Sequence, residues 1–116
     1  MTTWQEFIEP SLYFGTHNIE DVERAIREEE MFLFATDKAA GVCVIQEYPR
    51  LTILHMPFCG GSLKELKRVI IPAAEQWGAE RGVNRYTGCG RVGWSRAMAD
   101  QGYETVGHFW SKEAPQ

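Results

Sequence analysis

The sequence predicts an α/β (α+β) fold: a mixed sheet with an antiparallel N-terminal meander, a parallel β-α-β crossover and flanking helices. Three observations lead there. The runs MFLFAT, GVCVIQEY and LTILHM are short, rich in β-branched and aromatic residues, and separated by DKAAG and by Pro49-Arg50; such runs joined by tight polar turns form a meander. Residues 51 to 87 then read as strand, helix, strand, the signature of a right-handed parallel crossover. Apolar residues at helical spacing flank these strands on either side.

In chain order, Trp4, Phe7 and Ile8 predict a short first helix that stops before Pro10. Asn18, with Asp21 three positions on, is a helix cap, and Ile19, Val22, Ala25 and Ile26 form one apolar stripe. A helix over about 18 to 30 follows, with REEE toward solvent. The strands carry apolar residues on both faces, so the sheet is expected to be covered on both sides. Leu63, Leu66, Val69, Ile70, Ala73 and Trp77 predict a long helix ending near Gly82, kinked at Pro72. VNRYTGCG is a further strand, RVGWSRAMADQ a shorter helix with Trp94 and Met98 on one face, and YETVGHFWSK a closing strand.

Composition narrows the function classes. The 116 residues are expected to form one domain, with N-terminal helices in 1–30, sheet and helices in 31–112 and a frayed tail at 113–116. A hydrophobic fraction of 44% is globular, and a net charge of -4 without a basic run argues against a nucleic-acid partner. Cys43, Cys59 and Cys89 have no C-x-x-C spacing and read as buried thiols in a reducing compartment, and His17, His55 and His108 stand apart, so no metal site is expected. The N-terminus lacks the pattern of a signal peptide, and no apolar run approaches the roughly 20 residues of a membrane span.

The stretch HMPFCGGSLKELKRV runs from a strand through two glycines into a helix. A helix N-terminus presents free N–H groups to an anion, so Cys59, Gly60, Gly61 and Ser62 are candidate phosphate-binding residues. The same residues equally suit a strand-to-helix corner in which Ser62 is simply the N-cap. Pro57, late in its strand, marks a bulge or an edge.

This order of elements resembles the GCN5-related N-acetyltransferase (GNAT) fold, through the corner PFCGGS and the later GCGRVGWSRAMADQGYE. VIQEYPRLTILHM, GGSLKEL, GRVGWSRAM and GYE further resemble small tailed-bacteriophage proteins described as acetyltransferase-like, over about residues 22 to 112. The resemblance implies that the corner takes the pyrophosphate of acetyl-coenzyme A and that the pantetheine arm lies where the strand before it splays from its neighbour. Departures are plain. Pro57 stands where the family loop has Arg or Gln, and Ser62 where it has Gly or Ala. Met98 occupies the place, five residues before Tyr103, where the family often has a tyrosine that protonates the departing thiolate; Tyr86 or Cys89 are the substitutes at hand.

For the base that acyl transfer to an amine requires, the candidates are Glu47 and His55. Each has a plainer reading, Glu47 as a solvated strand end and His55 as a hydrogen-bonded histidine within the sheet. GRVGWSR is the most distinctive string. Arg91 at a helix start opposes the dipole, which points to a carboxylate or a partner's; Trp94 is an apolar anchor between helix and sheet, with Gly90 and Gly93 allowing close approach. An exposed Arg91 and Trp94 would suit a protein interface.

The functional expectation is an acetyltransferase-like bacteriophage protein, catalytically degenerate, that acts as a virion structural, assembly or interaction protein in the host cytoplasm or the virion. Its partners would be other phage virion proteins, with self-association left open, and it would need no cofactor. The alternative is an active N-acetyltransferase that uses acetyl-coenzyme A on a protein or small-molecule amine. A third reading, a host-defence inhibitor that mimics nucleic acid, has little charge to work with at -4.

Overall fold

The computed structural model describes residues 2–90 and 93–115. Helix α1 (Trp4–Ile8) starts at Thr3, whose hydroxyl accepts the Glu6 N–H. A 3₁₀ turn (Glu9–Leu12) carries Pro10 in its first positions, where the missing N–H is not needed. Helix α2 (Ile19–Arg27) opens on a reciprocal cap: Asn18 Oδ1 accepts the Asp21 N–H at 2.8 Å and Asp21 Oδ2 accepts the Asn18 N–H at 3.0 Å. It ends before residue 30 because Glu29 turns left-handed, φ 59°, and the Glu30 and Met31 N–H groups fold back to the Ala25 carbonyl.

Strands β1 (Phe32–Ala35), β2 (Ala39–Glu47), β3 (Thr52–Gly61) and β4 (Arg85–Gly88) lie in the order β1-β2-β3-β4. The first two pairings are antiparallel and β3 to β4 is parallel, so the mixed sheet matches expectation. Both faces are covered. Ile8, Val22, Ala25, Met31, Ala40, Val42 and Phe58 form the core beneath α1 and α2. On the opposite face Leu66, Ile70 and Ile71 pack on Ala39, and Ala74 and Val83 on Cys43 and Leu54.

The crossover helix is built in three pieces: α3 (Leu63–Glu65), a π turn (Leu66–Ile70) and α4 (Ile71–Ala79). The Ile71 N–H reaches the Leu66 carbonyl five residues back, directly ahead of Pro72. The wide turn meets the residue that cannot donate to the helix and that crowds the turn before it.

Helix α5 (Gly93–Met98) and a 3₁₀ turn (Ala99–Gln101) stand where the shorter helix was expected. The closing strand is not formed: residues 103–115 have no regular secondary structure. Strand-forming side chains need a neighbouring edge to receive them. Here the first residues of the tail are held elsewhere, Tyr103 by a hydrogen bond to the Glu75 carboxylate and Thr105 by Ser95 at 2.6 Å, and Phe109 sits edge-on to Phe14.

Candidate functional site

The site starts from a bulge. Val42 pairs with Phe58 and Val44 with His55, so Cys43 alone faces Met56 and Pro57 together. The extra residue falls at the proline, which has no N–H for the ladder. It also resets the side-chain alternation, so that His55 and Phe58 both lie on the α1/α2 face. Pairing of β3 with β4 stops at Met56 and Gly88, while β3 continues to Gly61. The two strands part at the bulge.

His55 stands at the mouth of this splay. Its Nδ1 is 2.8 Å from Thr87 Oγ1 and its Nε2 3.9 Å from Cys89 Sγ. Burial holds the imidazole below the usual histidine range. Cys59 is pushed up to about 11, first by burial and then by the Cys89 charge, and Cys43 to about 12 by burial and then by Cys59. Cys89 is exposed. The structure thus gathers His55, Thr87, Cys59 and Cys89 around the splay. Thr87 was not singled out in the sequence, because its place opposite His55 depends on the parallel register, which no local pattern encodes.

Glu47 stands elsewhere. It pairs with Thr52 at the far end of β2, three residues beyond the level of His55, about 10 Å at roughly 3.3 Å per residue. Alternation also puts it on the opposite face of the sheet. Tyr86 donates to the Glu75 carbonyl at 3.0 Å, and Met98 packs with Trp94 and Tyr103 against Leu66, Ile70 and Ile71. Burial and the Glu75 carboxylate push the Tyr103 hydroxyl well above the usual tyrosine range.

At the corner each residue has a structural task. A Cβ on Gly60 would stand 1.9 Å from the Phe7 carbonyl oxygen. Gly61 has φ 99°, and a Cβ there would lie 2.5 Å from the Lys38 carbonyl oxygen. The Ser62 N–H donates to the Lys38 carbonyl at 2.9 Å, and Ser62 Oγ accepts the Glu65 N–H at 3.2 Å. Cys59 turns its side chain onto the cluster around Leu66 and Ile70.

Beyond the corner lies an open apolar groove of about 290 Å³, lined by Gly60, Gly61, Leu63, Leu66, Trp94 and Ala97. Trp94 packs against the Leu66 cluster as an anchor, and a Cβ on Gly90 would meet its ring at 2.6 Å. Gly93 has open space around it and needs no such account. Arg91 lies outside the described residues. A larger polar hollow of about 460 Å³ flanks α2, where Asp21 and Arg24 pair at 2.9 Å. None of its lining residues belongs to β3, β4 or the corner. Among the described residues no three His, Cys, Asp or Glu side chains are placed to hold a metal ion, and no helix is long and apolar enough to cross a membrane.

No protein-family model matches the chain, and no curated protein does. Solved structures do. Glucosamine-6-phosphate N-acetyltransferase from Arabidopsis thaliana superposes with a TM-score of 0.63 at 14% identity, over 85% of this chain and 80% of that one. An acetyltransferase from Trypanosoma brucei gives 0.64 at 9%, over 84% and 78%. A probable acetyltransferase gives 0.65 at 11%, over 95% and 87%. Together with the mixed sheet and its splayed β3–β4 pair, these likenesses establish that the chain has a GCN5-related N-acetyltransferase-like fold.

Proposed function

We propose that this chain is an acetyltransferase-fold protein of a tailed bacteriophage whose donor corner has been given over to structure, and that it serves in the virion or its assembly through protein contacts. The observation that carries this reading is the state of the corner. A diphosphate needs free N–H groups, yet Lys38 engages the Ser62 N–H, Ser62 Oγ engages the Glu65 N–H, and the Phe7 carbonyl covers Gly60. No Arg or Gln stands at position 57. These residues fit the diphosphate of acetyl-coenzyme A poorly, and no transfer step is derived through it.

Exposed apolar side chains support the protein-contact half of the reading. Val106, Phe109 and Trp110 are 84%, 78% and 87% exposed, and large exposed apolar residues of this kind suit a partner surface. The bacteriophage setting rests on the resemblance of VIQEYPRLTILHM, GGSLKEL, GRVGWSRAM and GYE.

The open groove beside Trp94 favours a second reading, an active N-acetyltransferase that binds acetyl-coenzyme A. Calorimetric titration of acetyl-coenzyme A, with desulfo-coenzyme A as control, separates the two. No saturable heat is expected up to millimolar ligand, and peptides of this chain are expected in purified virions. Saturable micromolar binding would establish the transferase instead.

A further inference from the structure

We propose that residues 104–110 of one copy of this chain add as a strand to the outer edge of β4 in a second copy, and that the two copies exchange these segments about a twofold axis. This rests on the protein-contact half of the reading above and names its partner. Both halves of the contact stand on the same chain. The sheet ends at β4, which pairs with β3 on one side and, among the described residues, with no strand on the other. Alternate N–H and C=O groups of Arg85–Gly88 therefore face outward, and RYTG has neither lysine nor proline to blunt that edge. The segment ETVGHFW at 104–110 is rich in strand-forming residues yet lies in no ladder.

The sheet also holds a strip that its own helices leave uncovered. By alternation Ile53, His55, Arg85 and Thr87 share the α1/α2 face, and none of them belongs to the core beneath those helices. Ile53 is half-buried and packs in none of the three apolar clusters, and Arg85, its register partner on β4, is exposed. In an extended segment Val106 and Trp110 fall on one side and Phe109 on the other. The register that turns Val106 and Trp110 to this strip lays the indole on Arg85 and toward Ile53. The opposite edge of the sheet lacks such a strip: on β1, Leu33 packs against the core and Phe32 and Phe34 lie against Trp77.

Within one chain the segment does not run along β4. Tyr103 bonds to Glu75 on the α4 face, and Phe109 rests on Phe14, which follows the 3₁₀ turn on the α1 side. The tail so passes across the sheet, and Val106, Phe109 and Trp110 stay mostly exposed. Its root is beside β4, because Tyr86 and Tyr103 both bond to Glu75. Two copies with their β4 edges adjacent bring each root next to the other's edge, which is a closed, self-complementary pair. Phe109 and Trp110 each offer about 150–250 Å². Counting both sides of two such contacts, on the order of 1,500 Å² leaves water, the size of a specific interface.

The test is sedimentation of the full chain from low micromolar to millimolar concentration, joined to amide exchange. A dimer of about micromolar affinity is expected, with protection of amides in 104–110 and in β4 that rises with concentration. Adjacent residues of a strand point their N–H groups to opposite sides, so one of Thr105→Pro and Val106→Pro removes a bond to β4 whichever way the segment runs. At least one of the two should weaken the dimer tenfold or more, and Trp110→Ser should do the same. Val106 and Trp110 are exposed in the single chain, so Val106→Pro and Trp110→Ser should keep the unfolding midpoint of the monomer. The proposal is overturned by a chain that stays monomeric, by a dimer indifferent to all three variants, by a dimer whose β4 amides gain no protection, or by protection of 104–110 already complete in the monomer. Each of these leaves the function proposed above to its own titration and virion tests, whereas saturable acetyl-coenzyme A binding by a chain that dimerises in this way overturns that function and leaves the exchanged strand in place.

Discussion

The carbonyl oxygen of Phe7 occupies the place where a side chain on Gly60 would begin, 1.9 Å from an ideal Cβ. Helix α1 thus docks on the bare backbone of β3 at the corner where a donor phosphate would be sought. The glycine serves the contact between two elements of this chain.

Gly60→Ala should therefore loosen α1 rather than only disturb a loop. The methyl would meet backbone, which cannot swing aside, and forced overpacking typically costs 1–3 kcal/mol or more; a loss of at least about 2 kcal/mol is expected in urea unfolding. Gly15→Ala is the control. Gly15 has φ 91° with open space around it, so its cost should stay near the roughly 1 kcal/mol of a left-handed alanine.

Ser62→Ala separates the two roles open to that hydroxyl. It caps the helix by accepting the Glu65 N–H, so the variant should lose about 1 kcal/mol of stability, measured by thermal or denaturant unfolding. A hydroxyl kept for a phosphate would instead leave stability unchanged.

What could be read in the sequence was whatever is local. The Asn18 and Asp21 cap, the meander, the helical stripe from Leu63 and the bulge at Pro57 each depend on residues a few positions apart. The long-range relationships were not legible. The corner could be recognised in CGGS, but the Phe7 carbonyl behind Gly60 and the Lys38 carbonyl on Ser62 come from elements far along the chain. Likewise His55 could be placed in a strand as a hydrogen-bonded histidine, whereas its partners Thr87 and Cys89 depend on β4 lying parallel in one register. The tail failed for the same reason in reverse: YETVGHFWSK has strand-forming residues, but contacts to Glu75, Ser95 and Phe14 hold it away from a ladder.

The stability of the protein should fall in mild acid through His55. Its folded-state pKa lies below the ordinary value because burial disfavours the cation, so below about pH 6.5 the unfolded chain binds the proton more readily than the folded one. Stability from this group is complete above that pH and declines as pH drops toward the lowered folded value, below which the decline from this source stops. Urea unfolding between pH 8 and pH 5 should show this slope in the native protein and a shallower one in His55→Gln. An equal slope in both would assign the acid sensitivity elsewhere.

Thr87→Val tests the contact that fixes the imidazole. The change is close in shape but removes the oxygen 2.8 Å from His55 Nδ1, leaving a half-buried ring nitrogen without that partner, at a cost of about 1–3 kcal/mol. Thr87→Ser keeps the oxygen and should recover most of that loss. Nitrogen chemical shifts of the ring give the second readout: in the native protein His55 should show one dominant tautomer with the proton on Nδ1, and Thr87→Val should give a mixture. A pure structural filler at position 87 would show the reverse dependence, with stability following the lost methyl group in Thr87→Ser and the tautomer indifferent to both changes.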